Sequence, residues 1–211
     1  MSKYFRYGGM AASVILIIFG VASIVIGASG RDTVRSNLGA EKIVGTPDMT
    51  PAATRAAVKE AGLKNVDIPN SSVAGKTIDT GSEARTFAQY MRVHALEATG
   101  GQVYAEMGRF LDKSGKPTND ETAAAIDPQT KKPVENGARN LWVNETALST
   151  ALNTSYFAEN VALFSVVMGV ALLLTGIGFL VLTITLLRPA ARKERVEEPA
   201  EAKSGTPVLA G

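Results

Sequence analysis

The side chains able to carry out chemistry are few: one histidine, His94, no cysteine, and a scatter of carboxylates. His94 lies in a stretch that reads as helical, with Arg85, Arg92 and Glu97 close in sequence. Such a setting suits a pH-sensitive contact or the polar wall of a pocket, although a histidine so placed is more often a hydrogen-bonded structural residue. Glu83, Glu97, Glu106 and Glu145 do not fall at the spacing of a metal-ligand set or an acid–base pair. The chain also lacks a phosphate-cradling glycine loop followed by Lys-Ser/Thr, a nucleophile elbow, a zinc helix with paired histidines and a calcium loop. No catalytic, cofactor-binding or metal-ligating residue is nominated, no cofactor is expected, and the expectation is a protein that is not an enzyme. Asn70, Asn144 and Asn153 each open a glycosylation acceptor triplet, which matters only in a host that modifies secreted proteins.

The sharper spacing belongs to small residues. Ser13, Gly20 and Gly27 recur every seven positions, as do Ala162, Gly169, Gly176 and Thr183. Each set marks one narrow helix face, along which backbones can approach closely in lipid, and the sevenfold repeat keeps that face aligned in a left-handed crossing. The two faces are expected to meet each other or copies of themselves. They lie in charge-free apolar stretches, 7–30 and 160–187, each roughly 35 to 40 Å long as helix and so able to cross a bilayer core. Neither stretch holds Lys, Arg, Asp, Glu or His, which argues against a proton relay or a charged substrate path through this pair alone.

Lys3 and Arg6 precede the first stretch, and Arg188, Arg192, Lys193 and Arg195 follow the second. The positive-inside rule puts both flanks in the cytoplasm, where these residues can hold anionic lipid headgroups. The expected organisation is a cytoplasmic N-terminus over 1–6, a transmembrane helix over 7–30, an extracytoplasmic domain over 31–159, a second transmembrane helix over 160–187 and a disordered cytoplasmic tail over 188–211. A cleaved signal peptide is the alternative for the N-terminus, with Ala28, Ser29 and Gly30 as small residues before Arg31. Tyr4, Phe5 and Tyr7 at one end, and Trp142, Tyr156 and Phe157 near the other, suit an interfacial aromatic belt. The net charge of +2 comes from interspersed residues, so nucleic acid is not an expected partner. Membrane lipids are, together with another copy of the chain or another membrane protein.

Elements that could position these residues follow from caps and breakers. Thr50-Pro51 opens a short helix that Gly62 closes, and Thr80 with Glu83 makes a capping box for a longer helix ending at Gly100-Gly101, with Phe87, Met91, Ala95 and Ala98 expected along its buried face. The segment 66–80, broken by Pro69 and Gly75, has room for a short extended piece. The segment 103–111 reads as helix or strand, and 112–117 carries turn chemistry. Over 138–168 there is neither Gly nor Pro, while Leu141, Leu148, Leu152 and Tyr156 recur at near-helical spacing. One helix, a stalk over 138–159 continuous with the second span, is expected.

Three segments, IVGTPDMTP (43–51), FAQYMRVHALEATGG (87–101) and NGARNLWVNETALSTALNTSYFAE (136–159), resemble a family of small two-span membrane proteins of actinobacteria. The resemblance implies a two-span envelope protein and no activity. Some members carry an aromatic-ring-opening dioxygenase label, but such enzymes hold a non-haem iron with two histidines and a carboxylate, and His94 alone cannot build that site. The expected fold is a mainly α membrane protein in which two antiparallel transmembrane helices flank one mostly helical extracytoplasmic domain with room for short strands. The expected role is a structural or interaction module of the cell envelope. An extracytoplasmic sensor or ligand-binding subunit, favoured by an apolar pocket with convergent polar groups, and an oligomeric pore resting on Thr175, Thr183 and Thr185 are the alternatives.

Overall fold

The computed structural model describes residues 3–186, and their side chains over 4–185. The expectations for the tail 188–211, including Arg188, Arg192, Lys193 and Arg195, and for the side chain of Lys3 lie outside the described residues. The chain is mainly helical: α1 (Lys3–Ala40), α2 (Pro51–Glu60), α3 (Gly81–Ala98) and α4 (Gly137–Leu186). α1 and α4 each contain a window of mean hydropathy 2.6 and 2.5 and are long and apolar enough to cross a membrane. At 1.5 Å per residue they extend about 57 and 75 Å.

α1 does not stop where its apolar stretch ends at Gly30. It continues over 31–40 because nothing there breaks a helix before Gly39, and because Val34 and Leu38 from this extension join the core below α3 and α4. The helix ends in a turn at Glu41 and Lys42, with Lys42 at φ 53°. α4 runs unbroken from the domain into the second apolar stretch as far as Leu186, where the described residues end.

The shorter helices form where their caps demand. Thr50 Oγ1 accepts the Ala53 N–H at 3.2 Å, Pro51 occupies the first turn, and Gly62 at φ 66° reverses the chain after α2. At α3, Thr80 Oγ1 accepts the Glu83 N–H at 3.3 Å while the Glu83 carboxylate accepts the Thr80 N–H at 3.2 Å. The expected face of α3 is buried only in part: Ala95 is buried and Phe87 and Met91 pack against the first core cluster, but other residues are buried more deeply. Gly81, Ala84, Ala88 and Ala95 are buried on the α4 side and Tyr90 and Val93 beside them, whereas Phe87 and Met91 are half-buried and Ala98 is exposed. The reason is distance: α3 approaches α4 so closely that a Cβ on Gly81 would lie 2.8 Å from Tyr156 Cα. Only small residues fit at that contact, and the larger ones are displaced to its margins.

The segment 103–118 is neither one helix nor one strand. A 3-10 turn (Tyr104–Glu106) leads into β1 (Phe110–Leu111), which pairs antiparallel with β2 (Pro117–Thr118), Phe110 opposite Thr118. Two clusters make the core of the domain. One gathers Leu38, Met49, Val73, Ile78, Ala84, Ala88, Tyr90 and Leu152, and the other gathers Ala95, Met107 and Trp142. The Tyr90 hydroxyl donates to Ser71 O at 2.9 Å, and burial pushes its pKa up.

Candidate functional site

Within 7–30 the buried residues are Ser13, Gly20 and Gly27, and within 160–185 they are Ala162, Gly169, Gly176 and Thr183. The two spaced sets face each other in antiparallel register within one chain. A Cβ built on Gly176 would lie 3.0 Å from Ser13 O, one on Gly20 2.8 Å from Gly169 O, and one on Gly27 2.6 Å from Ala162 O. Thr183 meets Gly9 at the next contact, where a Cβ on Gly9 would be 2.7 Å from the Thr183 Oγ1. Ser13 Oγ donates to Gly9 O at 2.7 Å, so its hydroxyl is satisfied inside α1. Around this seam the large side chains point outward, among them Ile15, Phe19, Phe164 and Leu174. Arg6 is exposed on α1 beside the seam's open end.

Above the apolar stretch, Glu159 of α4 ties three helices together. Its Oε2 accepts the Gly81 N–H at 2.7 Å, capping α3 from outside, while its Oε1 accepts from Arg35 Nε at 2.9 Å and pairs with Arg31 Nη2 at 3.5 Å. The carboxylate is 12% exposed. Burial alone would raise its pKa, but the Gly81 N–H and the Arg35 and Arg31 guanidiniums outweigh that and hold it below the usual glutamate range. Arg85 stands over the Tyr156 ring at 4.8 Å on the same junction. Sequence reasoning did not nominate Arg31, Arg35 or Glu159 as a set; the one available signal was their position just outside the apolar stretches.

Higher in the domain a groove runs between α3 and α4. Its upper cleft, about 540 Å³, is lined by residues that include Asp48, Met91, His94, Leu141, Glu145 and Leu148. Its lower cleft, about 670 Å³, shares Met91 and Leu148 and continues over Phe87, Ile43 and Leu152 toward Glu41 and Ser155. His94 Nε2 lies 3.5 Å from Asp48 Oδ2 and Nδ1 lies 3.9 Å from Glu97 Oε2. A hydrogen bond from the Thr46 hydroxyl, against slight burial, lowers the Asp48 pKa, with the nearby His94 adding to it. Among the described residues no cluster of three His, Asp or Glu could hold a metal ion.

Trp142 is not a belt residue. It is 2% exposed and its Nε1 donates to Gln102 O at 2.9 Å, with the Arg92 guanidinium 5.2 Å above its ring. It sits about 27 Å up α4 from Asn160 by helical rise, well inside the domain. The acceptor asparagines Asn70, Asn144 and Asn153 are exposed. No family model, curated protein or solved structure matches this chain.

Proposed function

We propose that the chain is a non-enzymatic interaction module of the cell envelope: α1 and α4 cross a bilayer as a tightly packed hairpin and hold a helical domain outside it. The observation that carries this is the inverted burial of the two apolar stretches. Their small residues are buried and their large apolar residues face outward, which suits a lipid solvent and would be costly in water. Continuity of α1 past Gly30, with its extension packed in the core, supports a retained span over a cleaved signal peptide. The resemblance to two-span actinobacterial proteins points the same way. Because the seam residues are occupied within the chain, a homo-oligomer would use another face.

Since the chain contains no cysteine, topology is tested with a single Lys113→Cys variant and a membrane-impermeant thiol reagent on intact cells. Labelling from outside is expected. Labelling only after the cells are opened would overturn the outward placement of the domain.

The groove favours a second reading, an extracytoplasmic sensor or ligand-binding subunit, because it joins an apolar trough to convergent polar groups at Asp48, His94 and Glu145. An uninterrupted α4 would link such a site to the far side of the membrane. The pore reading has less support: Thr183 is covered by Gly9, and the Thr175 and Thr185 hydroxyls donate within their own helix at 2.7 Å.

A further inference from the structure

The groove holds a buried acid without a counter-charge. Glu145 is 6% exposed, yet its carboxylate is met by two hydroxyls, Ser149 Oγ at 2.7 Å and Thr146 Oγ1 at 3.4 Å. Among the described residues no ion pair reaches it. Withdrawing a carboxylate from water is costly unless a cation compensates it; neither cleft is lined by Lys or Arg, and the basic side chain in the wall, His94, is paired with Asp48 at 3.5 Å and not with Glu145. Asp48, facing His94, adds a second carboxylate at the same end.

Away from the acids the groove is apolar. Leu148, 53% exposed, forms its middle, with Met91 opposite and Leu152 and Phe87 beyond. From Glu145 to Ser155 the trough follows α4 for about 15 Å by helical rise. Each cleft has the size of a small-ligand site. Methionine and leucine walls adapt to flexible aliphatic chains without demanding one shape. An anionic amphiphile would meet like charge at Asp48 and Glu145, and an uncharged one would leave the buried carboxylate uncompensated.

We propose that this groove binds an amphiphile with an alkylammonium head and one aliphatic chain, the head against Glu145 and Asp48 and the chain over Leu148 and Leu152. The proposal rests on the second reading above, an extracytoplasmic ligand-binding subunit. It names the ligand class for the groove.

The test uses the full chain in nanodiscs of zwitterionic lipid, titrated calorimetrically with octyltrimethylammonium and separately with octyl sulfate, empty discs being subtracted. Saturable binding of the ammonium, and none of the sulfate, is expected. Glu145→Gln keeps the side-chain shape and should weaken binding by about tenfold or more. Leu148→Ser, at a position already half open to solvent, should weaken it by about threefold to tenfold. Circular dichroism checks that both variants fold, and if Glu145→Gln does not, the Leu148→Ser result and the sulfate comparison still decide. Equal binding of octyl sulfate, an unchanged affinity in Glu145→Gln, or equal affinity for tetramethylammonium would each overturn the proposal. So would a dimer, seen by light scattering, that Leu148→Ser dissolves, since the groove would then belong to a second copy. Discs expose both faces to buffer, so failure here rejects the ammonium ligand without touching topology, which the labelling at position 113 tests by itself.

Discussion

Gly20 and Gly169 oppose each other across the helix pair so closely that a methyl group on either would meet the other's carbonyl oxygen, at 2.8 Å from Gly20 and 2.7 Å from Gly169. The clash is with backbone on both sides, so neither helix can yield locally and the whole crossing would have to open.

Gly20→Ala and Gly169→Ala should therefore each destabilise the hairpin by about 1–3 kcal/mol, and Gly169→Leu or Gly176→Leu by more. Gly178, on the same helix with nothing within 4 Å of an added Cβ, is the control. Gly178→Ala should be neutral or stabilising by up to about 1 kcal/mol. Thermal unfolding in nanodiscs, followed by circular dichroism, separates the two groups; equal melting of Gly169→Ala and Gly178→Ala would show that the seam contact is incidental.

Glu159 makes stability depend on pH with a definite sign. Its folded pKa is depressed, so its contribution is fully present above the ordinary glutamate pKa of about 4.3 and is lost as pH falls through the lower folded value. Glu159→Gln should cost about 1–3 kcal/mol at neutral pH, and the gap between variant and parent should close below about pH 4. Denaturation curves for both proteins across acid pH measure it. A gap that persists unchanged at low pH would assign the residue a packing role.

Trp142 carries a bond that phenylalanine cannot make. Trp142→Phe removes the Nε1 donor that serves Gln102 O at 2.9 Å and Thr99 Oγ1 at 3.3 Å; because Thr99 Oγ1 still donates to Gln102 O at 2.7 Å, the loss should cost about 0.5–1.5 kcal/mol. Because the sole tryptophan is removed, unfolding has to be followed by circular dichroism. A stability within experimental error of the parent would mean that the Arg92 and apolar contacts of the ring, rather than its hydrogen bond, hold the second core cluster.

Gly45 is the tight point of the loop between α1 and α2. It bridges to the 73–76 segment through Gly45 N to Lys76 O at 2.9 Å and Gly75 N to Gly45 O at 2.8 Å, and an added Cβ would collide with the Val73 carbonyl. Gly45→Ala should cost about 1–3 kcal/mol, while Gly137→Ala, where nothing lies within 4 Å, should cost none. Urea titration of the two variants distinguishes them, and a tolerated Gly45→Ala would show that this bridge is pliable.

Features set by neighbours along the chain are legible in the sequence. The Thr50 and Thr80 caps, the glycine stops at Gly62 and Gly100, and the two long apolar helices all depend on residues within a turn or two of one another. A sevenfold stripe of small residues can likewise be read along a single helix, because helical periodicity alone places Ser13, Gly20 and Gly27 on one face. Which partner each stripe meets is not legible in this way.

What tertiary structure decided was set by residues far apart in sequence. Glu159 meets Arg35 across 124 positions, and Trp142 meets Gln102 across 40; no local pattern marks either pair. The face that α3 buries departs from the hydropathy pattern because its close approach to α4 at Gly81 admits only small side chains at that contact, with Tyr90 and Val93 buried beside it, whereas hydropathy favours large ones throughout. Glu145 reads in sequence as one surface acid among many, since burial of a carboxylate is a property of the elements packed around it. Local spacing thus determined the helices and their caps, and only their packing decided which polar groups left water, because desolvation is imposed by atoms that the neighbouring residues in the chain do not supply.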